Sequence, residues 1–206
     1  MFKYFFITVI LFTLSAVAGA EPFVAGKDYV LLKNGKTHNS PHAIEVTEFF
    51  SYGCPWCYRI DASLKQWALK QGSAVSFHKV PVIFHKDWVY YAKAYYTAKA
   101  LALNSQLDKP LFKAILKDKT PLNSEQAMVD FFIDHGVEKE TVQSAFTHSP
   151  EIELNLAAGQ KLMGQYQINA VPALVINGQF KTDLQMAKSE TRLLTILDYL
   201  VKKSKD

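Results

Sequence analysis

The sequence predicts an α/β fold whose strands are interrupted by an all-helical block. Three observations carry this. Runs of β-branched and aromatic residues stand towards both ends of the chain. Between Asp87 and Asn169 only helical periodicity is found. Asn177-Gly178 then supplies a tight hairpin turn between the apolar Ala173–Ile176 and its partner Gln179–Thr182.

Taken in order, Tyr29 to Leu32 reads as a short strand and Asn34-Gly35 as the turn after it. Ile44 to Phe50 is a strand rich in β-branched and aromatic residues. From about Pro55 to Gln71 the pattern is helical, with Ile60, Leu64, Trp67 and Ala68 on one face and Gly72 as the stop. Val75 to Val82 is the next core strand. Five helices are then expected: Trp88 to Leu103, Pro110 to about Lys117, Asn123 to His135, Lys139 to Phe146 and Glu151 to Tyr166. Pro110 is placed in the first turn of its helix, where its missing N–H costs nothing. Asn123 is the expected cap, with Gln126 at capping-box spacing and Gly136 as the stop. Ala173 to Ile176 and Gln179 to Thr182 form the hairpin. Leu193, Leu194, Leu197, Leu200 and Val201 mark a closing amphipathic helix. The helical block begins and ends inside the strand order, so it reads as an insertion. The expected division is 1–20, 21–86, 87–168 and 169–206, the second and fourth segments forming one α/β unit.

Composition excludes several classes. With 49% apolar residues and 14 Phe, 10 Tyr and 3 Trp among 206, the chain can build a substantial core. Two cysteines exclude a disulfide framework and a four-cysteine metal site. Only Arg59 and Arg192 among the 23 basic residues are arginine, so nucleic acid is not an expected partner.

Residues 1–20 have the parts of a secretory signal peptide: Lys3, an apolar run from Tyr4 to about Val17, and Ala18-Gly19-Ala20 as a small-residue cleavage site. The run is marginal for a membrane span of about 20 residues. Cleavage after Ala20 leaves 186 residues and, through the loss of Lys3, lowers the net charge from +4 to +3. The mature chain is then expected outside the cytoplasm, where disulfides form and persist.

The chemistry centres on Cys54-Pro55-Trp56-Cys57. Cysteines three apart on a first helical turn can approach closely enough to form and break a disulfide. Cys54 falls at the helix start, where unpaired N–H groups and the helix dipole favour the thiolate. Cys57, one turn further in, suits a resolving thiol. A structural bridge closing so short a loop would stabilise little. A zinc site would need two more ligands at suitable spacing. His38 and His42 are four apart, but they lie in a Pro/Ser/Asn-rich loop.

A leader, a strand ending Glu48-Phe49-Phe50-Ser51, a Cys-Pro-X-Cys at a helix start, a helical insertion and a later Val171-Pro172 together resemble the DsbA family, the thiol:disulfide oxidoreductases of the bacterial periplasm. The resemblance implies a thioredoxin-like fold with an inserted all-helical domain. Cys54 would be the exposed nucleophile and Cys57 its partner. Val171-Pro172 would be a cis-proline loop facing them and pairing with an extended client peptide; only the resemblance favours cis, since the bond is ordinarily trans. Glu48 would be a buried acid that moves protons for Cys57, with Lys79 as its charge partner. Pro55 and Trp56 would support the site. No cofactor or metal is implied. The implied partners are reduced secreted proteins and a quinone-linked inner-membrane re-oxidant of the DsbB type.

Where the best-known member has His between Pro and Cys, this chain has Trp56. Trp56 supplies no positive charge, so a less depressed Cys54 pKa and a less oxidising couple are expected. Two other functions compete. One is a reductase or isomerase, although residues 21–53 leave no room for the N-terminal dimerisation domain of periplasmic isomerases, so a monomer is expected. The other is a thioredoxin-fold chaperone for unfolded clients. The modest net charge predicts no electrostatic selection of clients.

Overall fold

The computed structural model describes residues 22–33 and 43–205. The leader, the Asn34-Gly35 turn and His38 and His42 lie outside the described residues. Among the described residues no helix is long and apolar enough to cross a membrane.

Five strands form one mixed sheet: β1 (Val30–Leu31), β2 (Ile44–Phe50), β3 (Val75–Pro81), β4 (Ala173–Ile176) and β5 (Phe180–Asp183), in the order β1-β5-β4-β2-β3. Only β2 and β3 pair in parallel. The crossover between them is α1 (Pro55–Gln71), which ends where Gly72 takes a positive φ of 54°. Strand β2 is central, and its residues Val46 to Phe50 are all buried. Successive side chains alternate between faces, so Val46, Glu48 and Phe50 share one and Thr47 and Phe49 the other. Val46 packs with Ile60 and Leu64 of α1 and with Leu193, Leu197 and Leu200 of the last helix. Phe49 packs on the other face with Val80, Val175 and Tyr166. A strand covered on both sides has no solvent face, so Thr47 and Glu48 are buried along with Val46, Phe49 and Phe50.

Between β3 and β4 lie α2 (Trp88–Ala100), α3 (Asn104–Leu116), α4 (Glu125–Asp134), α5 (Lys139–His148) and α6 (Pro150–Gln165). Their core, including Leu111, Phe112, Met128, Phe132 and Phe146, is continuous with Phe50, Tyr52, Cys54 and Cys57. The helical block therefore packs directly on the turn that carries the cysteines.

Two local expectations need correction. Helix α3 starts at Asn104, so Pro110 sits in its interior. The ring removes one backbone hydrogen bond, at a cost of about 3 kcal/mol. Burial of Leu107, Leu111, Phe112 and Ile115 offsets it at roughly 1.5–3 kcal/mol per side chain. The cap of α4 is Ser124, one residue beyond Asn123, its Oγ accepting from the Ala127 N–H at 3.2 Å. Gln126 closes no capping box; it donates to Asp130 at 2.7 Å.

The hairpin turn is as expected, with positive φ at Asn177 (50°) and Gly178 (65°). A four-residue helix, α7 (Leu184–Ala187), was not anticipated; Asp183 caps it by accepting from the Met186 N–H at 2.8 Å. Helix α8 (Glu190–Lys203) closes the chain, capped by Ser189, with Leu193, Ile196, Leu197 and Leu200 fully buried.

Candidate active site

The turn Ser51 to Cys54 is held before the helix begins. The Cys54 N–H donates to the Ser51 carbonyl at 3.0 Å, and the Gly53 N–H to Ser51 Oγ at 3.1 Å. Gly53 is required by contact: a Cβ there would lie 2.5 Å from Trp88 Nε1 and 3.1 Å from a ring carbon of Tyr91. Cys54 is then the N-cap of α1, with extended backbone, and Pro55 fills the first helical position, where no N–H is needed.

Cys54 Sγ accepts from the Cys57 N–H at 3.1 Å and lies 3.5 Å from the Val171 carbonyl oxygen, to which its thiol donates. The Val171–Pro172 bond is cis. Both cysteines are thiols in this structure. The expectation of an exposed Cys54 is corrected: it is 5% exposed, because its sulfur folds back over the first turn and beneath the Val171 carbonyl. The exposed group here is Trp56, at 56%, with Arg59 stacked 5.3 Å from its ring.

The two sulfurs differ electrostatically. The Cys57 thiol donating to Cys54, together with the N–H groups of Cys57 and Trp56, lowers the Cys54 pKa against the opposing effect of burial. Burial pushes Cys57 well up, and the neighbouring Cys54 and Glu48 push the same way. Of the two, Cys54 is therefore the one that gives up its proton more readily, and Cys57 the one that keeps it.

Beneath Cys57 lies a chain of buried charges. Parallel register sets Glu48 of β2 opposite Lys79 of β3, and the two lie 3.6 Å apart. Lys79 reaches Asp61 at 2.6 Å; Asp61 meets Lys65 at 2.9 Å; Lys65 meets Asp108 at 2.7 Å. Asp108, on α3, also accepts a short hydrogen bond from the Tyr52 hydroxyl. Burial raises the Glu48 pKa to about 7 despite Lys79. Both Glu48 carboxylate oxygens lack a hydrogen-bond partner among the described residues. Burial opposes the charge on Lys79, but Glu48 and Asp61 outweigh it and raise its pKa. Its ammonium also sits 4.0 Å from the Phe50 ring centre.

The fold thus gathers Cys54, Cys57, Pro55, Trp56, Val171 and Pro172 at one end of the sheet, with Glu48 in the layer below. Sequence reasoning missed Tyr52, Asp61, Lys65 and Asp108. One signal was available: Cys57, Asp61 and Lys65 are spaced by four on one helix and share a face. Asp108 carried none, since its partners come from distant segments.

Residues 45–200 match the model of the DSBA-like thioredoxin domain. The chain is 34% identical over 207 residues to the thiol:disulfide interchange protein DsbA of Burkholderia cepacia, covering 97% of each. It superposes on the crystal structure of Pseudomonas aeruginosa DsbA with a TM-score of 0.85 at 31% identity, covering 90% of this chain and 96% of that one. It also resembles a Proteus mirabilis DsbA solved with a non-covalently bound peptide PWATCDS, with a TM-score of 0.73 at 25% identity, covering 88% and 97%. A family model spanning most of the chain and relatives matched along nearly their whole length lead to one conclusion: this chain belongs to the DsbA-like thioredoxin family.

Proposed function

We propose that this protein oxidises pairs of thiols in other proteins, with Cys54 as the exchanging sulfur and Cys57 as the resolving one. The observation that carries the assignment is the pair of thiols on one helical turn, the Cys57 N–H donating to Cys54 Sγ at 3.1 Å, with pKa values displaced in opposite directions. In the disulfide form, a client thiolate attacks Cys54 Sγ. The Cys54–Cys57 bond breaks, a mixed disulfide forms, and the electron pair leaves on Cys57, which takes up a proton in its buried site. A second client thiolate attacks the client sulfur of the mixed disulfide. Cys54 leaves as a thiolate, the client holds a new disulfide, and the enzyme holds the two electrons as a dithiol. A lowered pKa makes Cys54 a good leaving group in that last step.

Glu48 is suited to hold or release the proton that Cys57 exchanges, because a carboxyl with a pKa of about 7 changes charge near neutrality. Val171 and Pro172 flank the sulfur on the open side, where an extended client segment would pair by backbone hydrogen bonds, tolerant of its sequence. The relative solved with a cysteine-containing peptide supports that reading. The same reading has residues 1–20 as a leader removed on export to the periplasm, a monomeric mature chain divided at residues 86 and 168, and a DsbB-type membrane partner that re-oxidises the dithiol.

The test is the Cys54–Cys57 reduction potential, measured by equilibration with glutathione. A value well above the thioredoxin level of about −270 mV, towards about −120 mV, is expected of an oxidase. A value at or below the thioredoxin level would assign a reductase instead.

A further inference from the structure

A cleft of about 660 Å³ opens beside the active-site turn, on the side of α1 that faces the helical block. It begins at Pro55, the residue after Cys54, and runs between α1 and the C-terminal end of α3. Tyr58 and Leu116 give it an apolar lining. Arg59, Lys109, Lys117 and Lys119 give it four positive charges.

Those charges are not neutralised from within. All four side chains belong to exposed residues, and none forms an ion pair among the described residues. Neighbouring Lys113 is different, being paired with Asp118 at 2.7 Å. The one carboxylate in the lining, Asp61, is already engaged by Lys79 and Lys65. Lys119 holds a positive φ of 56°, a conformation that favours glycine, yet a lysine stands there. The positive end of the α1 dipole lies at the same mouth. The groove on the other side of Trp56, about 380 Å³, contrasts with it: Val171 and Pro172 line it, and its two cations, Lys188 and the Arg59 shared with the first cleft, are balanced by Asp183 and Glu190. Charge is therefore concentrated on one side of Cys54 only.

We propose that this cleft is a second docking site, which takes an acidic segment of the client polypeptide adjacent to its reactive cysteine. The carboxylates would meet Lys109, Lys117 and Lys119, and an apolar client side chain would rest on Tyr58 and Leu116. Each extended residue advances about 3.3 Å, so the few residues flanking a cysteine bound at Cys54 span the cleft. Clients with Asp or Glu on that side of the thiol are captured faster, by an attraction that salt screens.

The proposal rests on the exchange chemistry above, and the experiment separates the two. Single-turnover oxidation, by enzyme in the disulfide form, of two matched dithiol peptides, one with three Asp or Glu beside its cysteine and one with Gln and Ser in their place, is followed as a second-order rate constant. Each value is normalised to that peptide's own reaction with glutathione disulfide. The enzymes are the wild type and a Lys109→Gln, Lys117→Gln, Lys119→Gln triple variant; Arg59 is retained because it stacks on Trp56 beside the sulfur. In low salt the wild type is expected to prefer the acidic peptide roughly 10-fold, the sum of three weak exposed pairs. The triple variant should lose that preference at an unchanged reduction potential, and 0.5 M salt should abolish it in the wild type. Equal rates on both peptides with the wild type, or a preference that survives in the triple variant, overturns the cleft alone. Failure to oxidise either peptide overturns the exchange reading and the cleft with it. Lysine-dependent sedimentation with phosphatidylglycerol vesicles, without peptide preference, would give the cleft to a membrane surface and overturn the proposal.

Discussion

The layer around Cys54 and the layer beneath Cys57 lie one helical turn apart and behave as different solvents. Around Cys54 the chain offers hydrogen-bond donors to a negative sulfur, and Trp56 stands exposed beside it. Beneath Cys57 the chain offers a fully buried acid and an ammonium set against aromatic rings. The same functional group is therefore shifted towards the thiolate in one layer and held as the thiol in the other. Depth and donor count decide this, not the identity of the residue.

The most decisive way to break the comparison is to remove the upper sulfur. Cys54→Ser is expected to abolish oxidation of a reduced model peptide, whereas Cys57→Ser, offered a peptide disulfide, should attack it through Cys54, release one peptide thiol and accumulate a mixed disulfide visible by mass spectrometry. Protection of an unfolded client that survives Cys54→Ser would leave a chaperone as the better description, and retained peptide oxidation would remove Cys54 from the exchange. The lower layer is tested next by Lys79→Met. This strips the cation from between Glu48 and Asp61, leaving Glu48 without its ion-pair partner and Asp61 with Lys65 alone, so a loss of about 3–5 kcal/mol is expected from the urea midpoint at pH 8.

Glu48→Gln should act in the opposite direction. The folded-state pKa is raised from 4.5 to about 7, so between those values the unfolded chain gives up a proton that the folded chain keeps. Folding loses stability as pH rises through that window, and the loss is complete above about 7. Relative to wild type, Glu48→Gln should gain on the order of 3 kcal/mol between pH 4 and pH 8. Parallel stability curves for the two proteins would show that Glu48 titrates normally. Gly53→Ala tests the contact joining the layers: its Cβ meets the Trp88 ring, and the expected loss is about 1–3 kcal/mol with slower exchange at Cys54. The smallest effect is expected at the surface. Trp56→His adds a donor beside the thiolate and should make the couple more oxidising by about 30 mV for each pKa unit that Cys54 falls. An unchanged or lower potential would show that the intervening residue does not tune this site.

Much of this was legible in the chain. The succession of strands and helices along the chain, including the interrupting helices and the Asn177-Gly178 hairpin, follows from local periodicity and turn chemistry, which neighbouring residues carry. The cysteine pair follows from spacing alone. The position of Pro110 was misread because the apolar face of α3 offsets a local penalty through contacts that lie far along the chain. Glu48 stood out as an acid between apolar residues, but its partnership with Lys79 depends on parallel register, which no local pattern specifies.

What the sequence alone determined is the chemistry available: two thiols on one helical turn, a proline where no donor is needed, and an acid in a core strand. What only the tertiary structure decided is how those groups are charged. The net charge of +4 distributes nothing by itself; folding sets Lys109, Lys117 and Lys119 along one cleft and balances Lys188 on the other side. Desolvation, the 3.6 Å approach of Lys79 to Glu48, and the joining of Tyr52 to Asp108 across 56 residues of chain exist only once distant segments meet. Protonation and charge placement depend on distance in space, and a sequence specifies distance only along the chain.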